Sequence, residues 1–277
     1  MVEVRHQLIG CCSGWLSCAE QRIDSNRKSP TAGAAMSIVP GNPKHTFFAS
    51  LIVATVAMTG LGPVHADDRG PLHYLNIQTI TAQTRPAFLT AMRNNAVQSR
   101  KEDANSVFDV GDVGGDDPTL VLFENWRDRE GYDKHEKSVH VAPVIAMVPS
   151  AFAKPERKYL LEDVPGLPAP ARQPIKDPSA TYNVVNRLNI EPALREAFVD
   201  AIGKLLERSR KRAGNLVFDV YQGRDNADAF VVYERWRNAS AYAAQASSAE
   251  VTEFTAALKS MVAEQPEILT LHDRIID

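Results

Sequence analysis

The sequence predicts an α+β fold made of two copies of one βαββαβ unit, the ferredoxin-like topology, packed sheet to sheet within one chain. Three observations lead there. Residues 99–127 (SRKEDANSVFDVGDVGGDDPTLVLFENWR) align without a gap to residues 209–237 (SRKRAGNLVFDVYQGRDNADAFVVYERWR), with 12 of 29 positions identical. The same offset of 110 residues carries Asn76 to Asn186, Phe88 to Phe198 and Tyr132 to Tyr242, which marks an internal repeat. Within each copy, period-two and helical segments follow one another in the same order. The composition, 277 residues with 44% hydrophobic and 23% charged, is that of an ordinary globular chain long enough for two cores.

The elements of the first copy read in order. Tyr74 to Ile80 alternates apolar and polar side chains, a strand. Residues 85–103 set Phe88, Leu89, Met92 and Val97 near helical spacing, with Pro86 tolerable in the first turn. Ser106–Val110 and Thr119–Trp126 are β-rich and flank the turn cluster Gly111 to Pro118, a hairpin. Arg129 to Met147 has helical pattern interrupted at Pro143, and Arg157–Glu162 closes with a strand. Such a sheet leaves one face bare of its own helices, and two sheets in one chain can cover each other. The predicted units are 72–165 and 180–277, joined by a Pro-rich segment, 166–179, read as a stiff extended spacer.

The N-terminus reads as targeting rather than fold. From Met36 a short cationic stretch (Lys44, His45), an apolar run from Thr46 to Gly62 and the small-residue site Val64-His65-Ala66 have the layout of a signal peptide. Residues 36–66 are therefore predicted to be the signal, and 1–35 to lie upstream of the true start at Met36. All three cysteines (Cys11, Cys12, Cys18) precede the predicted cut, so the mature chain offers no thiolate or iron–sulfur ligands. Residues 1–66 carry five Lys/Arg and three Asp/Glu, so a net charge of -3 becomes -5 after cleavage. Neither value supplies the basic footprint that phosphate binding needs, and no nucleic-acid partner is expected. The chain is expected to be exported, periplasmic or secreted, with an N-terminal membrane anchor as the outcome if the signal is not cut.

Phe108-Asp109-Val110, then Glu124-x-Trp126, then Tyr132, His135, Ser138 and His140 in ENWRDREGYDKHEKSVH resemble the antibiotic biosynthesis monooxygenase (ABM) domain family over nearly all of both repeats. The resemblance implies an intrachain dimeric α+β barrel and oxygenation of a quinol or polyphenol by O2 without metal or flavin. It further implies that His135 or His140 takes a phenolic proton, a task suited to an imidazole near its unperturbed pKa. Asn76 and Trp126 would orient the substrate anion and dioxygen, Asn76 through its amide and Trp126 through its indole N–H.

Each residue also has a plainer reading. Asn76 fits a half-exposed strand, Trp126 a core, and His135 and His140 a solvated helix beside Lys134, Glu136 and Lys137. Glu124 is expected to pair with Arg127, and Glu234 with Arg237, as structural salt bridges. Phe108 and Tyr132 line the core or the pocket, and with Glu124 and Arg127 form the expected substrate-binding set. In the second copy the two histidines become Gln245 and Glu250, so that copy is expected to be degenerate. Partners are a small aromatic substrate and O2, with the chain a monomeric pseudo-dimer or a homodimer. No cofactor is expected. Two alternatives stand beside this reading: a non-catalytic ligand-binding or stress-related protein, and a haem-binding or haem-degrading relative with His135 as axial ligand.

Overall fold

Alternate residues of β1 (Leu72–Thr79) face two different cores, and this parity organises the molecule. The computed structural model describes residues 70–274. The first repeat continues with α1 (Arg85–Ser99), β2 (Asn105–Asp112), β3 (Thr119–Trp126), α2 (Arg129–Glu136), α3 (Ala142–Ala151) and β4 (Arg157–Asp163). The second holds β5 (Tyr182–Asn189), α4 (Arg195–Arg210), β6 (Asn215–Gly223), β7 (Ala229–Trp236), α5 (Ala239–Ala246), α6 (Ala249–Leu258) and β8 (Glu267–Asp273). The eight strands close into one barrel in the order β1-β3-β2-β8-β5-β7-β6-β4, with every pairing antiparallel. Each repeat supplies four neighbouring strands in ferredoxin-like order, and the seams are β2 against β8 and β4 against β6.

Leu72, Tyr74 and Ile80 point outward with Phe108, Leu120, Leu122 and Trp126, under Phe88, Met92 and Ala96 of α1. Leu75 and Ile77 point inward with Val121 and Phe123, where they meet Val185, Val217, Tyr221, Tyr233 and Leu271 of the other repeat. Equivalent residues touch across the pseudo-twofold: Phe123 stacks on Tyr233 with centroids 4.5 Å apart, and Arg157 makes two hydrogen bonds to Glu267. The inner face of each sheet is thus the core of its partner sheet.

Three local expectations change. The second helix is two helices: α2 is capped by Asp128, whose side chain accepts from the Gly131 N–H, and the chain leaves helix at Lys137 and re-enters it at Ala142. Pro143 does not break it, because Pro143 sits in the first turn of α3, where a missing N–H costs nothing. The first helix ends at Ser99, and residues 100–104 form a turn instead. The Pro-rich segment is no free spacer: Ala171 and Gln173 donate backbone N–H groups to Asp219 Oδ1 and Leu216 O, and Arg172 enters the barrel. The predicted signal peptide and upstream residues lie outside the described residues. Among the described residues no helix is long and apolar enough to cross a membrane.

Candidate active site

Parity along β1 and β3 puts Asn76, Glu124 and Trp126 on the helix-facing side of the first repeat's sheet, beneath α2. Asn76 lies opposite Leu122 and so diagonally beside Glu124, which faces Tyr74. The Asn76 amide N–H donates to Glu124 Oε1 at 2.8 Å, and the Trp126 indole N–H donates to Glu124 Oε2 at 3.1 Å. All three are buried, and the amide oxygen of Asn76 has no hydrogen-bond partner. Burial pushes the Glu124 carboxyl up to about 7, against the pull of the indole N–H and the Lys158 ammonium.

The expected Glu124–Arg127 salt bridge does not form. Arg127 lies largely in solvent and donates to Asp128 at 2.9 Å, so it is not part of the substrate-facing set. Positions 124 and 127 differ by an odd number, and a strand sends them to opposite faces. In the second repeat Glu234 likewise turns from Arg237 to Asn186 and Trp236, at 3.3 and 3.0 Å. Burial raises Glu234 to about 8.

Helix α2 lays aromatic side chains over this cluster. His135 packs against Trp126 with ring centroids 4.4 Å apart, and Phe108, Tyr132 and His140 lie at 5.9, 6.2 and 5.6 Å from the same ring. His135 is therefore buried rather than solvated, and burial pushes its pKa down to about 4. Tyr132 accepts a hydrogen bond from Lys158, whose ammonium also lies 4.5 Å from the Tyr74 ring centroid. His135 Nδ1 faces Glu102 Oε2 at 3.1 Å and Ser99 Oγ at 3.4 Å, while His140 Nε2 faces Glu102 Oε1 at 3.2 Å. Burial lowers the His140 pKa and raises that of Glu102. The structure thus brings Asn76, Phe108, Glu124, Trp126, Tyr132 and His135 into one layer, places His140 at its border, and leaves Arg127 outside.

Glu102, Ser99, Tyr74 and Lys158 also belong to this layer and were not singled out by the sequence reading. The repeat offset carries the signal for three of them. Glu102 aligns with Arg212, a reversal of charge, while Tyr74 aligns with Val184 and Lys158 with Ile268, where the second repeat is apolar. In the second repeat Gln245 donates to Ser209 Oγ at 2.6 Å, in the place of His135, and Arg212 donates to Glu250 at 3.1 Å. A cleft of about 350 Å³ opens near the β4–β6 seam, lined by Tyr159, Arg187, Asn226, Phe230 and Glu267, and shares only Lys158 with the layer. The site is accordingly defined by its chemistry, not by the cleft.

Fold and layer together define a two-repeat α+β barrel with a buried Asn–Glu–Trp cluster in each half. Residues 181–257, most of the second repeat, match the family model described as Antibiotic biosynthesis monooxygenase. Among solved structures, a Fusobacterium nucleatum protein named "Putative monooxygenase" is similar over 74% of this chain and 92% of its own, with a TM-score of 0.68 and 14% identity. A Lactobacillus acidophilus protein of the same name covers 75% and 100%, with a TM-score of 0.62 and 16% identity. An anthrone oxidase-like protein covers 74% and 91%, with a TM-score of 0.55 and 16% identity. At these identities the likeness is one of fold. No curated protein matches the chain.

Proposed function

We propose that the chain is an oxygenase that acts with O2 on a quinol or polyphenol in the helix-facing layer of the first repeat, with Glu124 as proton acceptor. The observation that carries this reading is the Glu124 carboxyl, buried between two neutral donors and raised to about 7. A proton acceptor poised near the working pH is what phenol deprotonation needs. His135, held down to about 4, is the weaker base and serves as the apolar wall. The unpartnered Asn76 oxygen accepts a hydrogen bond from a substrate hydroxyl, and Trp126, whose N–H is spent on Glu124, is a positioning residue.

The balance closes without a further reductant. A phenol loses its O–H and one ring C–H, one oxygen atom enters as a carbonyl, and the other leaves with both hydrogens as water. All four electrons come from the substrate, so this reading requires neither flavin nor nicotinamide. The fold neighbour named anthrone oxidase-like suggests chemistry of this kind. The side chains of the layer are buried here, so turnover requires the elements packed over it to move apart. The haem alternative would likewise require the Trp126–His135 ring contact to part. The presequence pattern supports export of the protein.

Oxygen uptake on a panel of reduced quinols and flavonoids tests the reading. Glu124→Gln is expected to lower kcat/KM at least ~100-fold, Glu234→Gln to leave it within a few-fold, and the wild-type rate to rise with pH through about 7 as the Glu124 carboxylate forms. Equal loss in both variants would move the chemistry out of the first repeat. No turnover above autoxidation would leave a non-catalytic binding protein.

A further inference from the structure

At the edge of this layer Glu102, His140 and the Nδ1 side of His135 bring together ligand atoms that take no part in the proposed proton transfer. Glu102 sits in the turn after α1, His135 in the last turn of α2, and His140 in the turn leading into α3. One ligand atom from each lies within 4.8 Å of the other two. The close approaches, 3.1 Å from His135 Nδ1 to Glu102 Oε2 and 3.2 Å from His140 Nε2 to Glu102 Oε1, match a metal's coordination sphere. Tetrahedral zinc with bonds of about 2.0–2.1 Å separates its ligand atoms by roughly 3.3 Å. We propose that Glu102, His135 and His140 bind one divalent first-row transition metal ion.

The donor set suits that class. Two imidazoles and one carboxylate favour zinc, iron, cobalt or nickel over the all-oxygen environments that calcium and magnesium require. Three protein ligands leave at least one position open, and the hydroxyls of Ser99 and Ser138, 3.4 Å from His135 Nδ1 and 3.1 Å from His140 Nε2, stand where they can hydrogen-bond a metal-bound water. The backbone holds all three segments: Glu102 N–H donates to Ser99 O, Ser138 N–H to His135 O, and Val141 N–H to Ser138 O.

The second repeat is an internal control. Its equivalent positions are Arg212, Gln245 and Glu250, so two ligands are gone, and the Glu102–His140 contact has become an ion pair of opposite polarity. A contact needed only for structure is satisfied by Arg212 and Glu250; the first repeat replaces it with groups that ligate. An ion here would tie the turn after α1 to residues 137–141 and so hold the layer closed. The site does not include Glu124 and meets its cluster at the His135–Trp126 ring contact.

Zinc and cobalt titrations of the full chain with Cys11, Cys12 and Cys18 replaced by serine, which removes competing thiolates, test the proposal. Calorimetry with Zn2+ is expected to give one site per chain, and Co2+ to develop visible d–d absorption. His140→Ala and Glu102→Gln, checked for native circular dichroism, should each weaken binding at least tenfold and abolish the Co2+ spectrum, while Glu250→Gln changes neither. Zn2+ should raise Tm in the wild type and not in His140→Ala. Absence of saturable binding, or binding unchanged in both ligand variants, would overturn the site. Loss of oxygenase turnover alone would not.

Discussion

Glu124 and Glu234 each exchange water for an indole N–H and a primary amide, two neutral donors that do not fully compensate a buried charge. Their carboxyls are raised to about 7 and about 8, whereas an unfolded glutamate titrates near 4.3. Below the unfolded value both states are protonated and the burial costs nothing. Above it the unfolded chain releases protons that the folded one keeps, so stability falls with rising pH until the folded values are passed. Between pH 5 and 6.5 His135 opposes this trend, because burial lowers its pKa. The clean window is therefore pH 6.5 to 8, where Glu234 alone is expected to cost about 2 kcal/mol at 1.36 kcal/mol per pH unit. Urea unfolding across that window should show the decline, and Glu234→Gln should remove most of it. A flat wild-type profile would contradict the neutral carboxyl. Strand parity explains why Asn76 and Trp126 meet, a pair that the sequence joined through the family resemblance alone. It also separates Glu124 from Arg127, but adjacency of opposite charges obscured that.

At the scale of elements, the contact between α2 and the turn after α1 positions His135 and Tyr132, and one glycine per repeat sets it. A Cβ on Gly131 would lie 2.2 Å from the Ala104 Cβ; in the second repeat the partners are exchanged, and a Cβ on Gly214 would lie 2.7 Å from the Ala241 Cβ. Each repeat thus has room for one methyl at this crossing. Gly131→Ala is expected to destabilise the protein by about 1–3 kcal/mol, as overpacking does. Adding Ala104→Gly, which copies the second repeat, should recover most of that loss, with a coupling above ~0.5 kcal/mol in a urea double-mutant cycle. Strict additivity would show that the two positions do not share the space. The elements themselves were visible in periodicity and in the repeat. The split between α2 and α3 was not, because Pro143 is the conspicuous breaker in the sequence while the chain actually turns at 137–141, which holds no proline.

For the whole molecule, the barrel interior decides whether two repeats make one folding unit. Asp109 of β2 accepts from Arg172 at 2.7 Å and from the Tyr233 hydroxyl at 2.9 Å, and pairs with Arg235 at 2.9 Å, so one carboxylate gathers the inter-repeat segment and the second repeat. Burial alone would raise its pKa, but the two guanidiniums hold it well below the usual carboxylate range. Asp109→Ala would leave two guanidiniums with no carboxylate between them, an expected loss of about 3–5 kcal/mol. Arg172→Ala keeps the Arg235 and Tyr233 contacts and should cost less. Both variants, like the wild type, are expected to unfold in a single transition with a similar denaturant slope. The reason is geometric: Leu75, Ile77, Val121 and Phe123 of the first sheet share one inner core with Val185, Val217, Tyr221 and Tyr233 of the second, so neither repeat keeps a complete core when the other melts. Two resolved transitions in Asp109→Ala, followed by fluorescence and circular dichroism together, would show that the repeats are separable domains held by this ion cluster rather than one barrel.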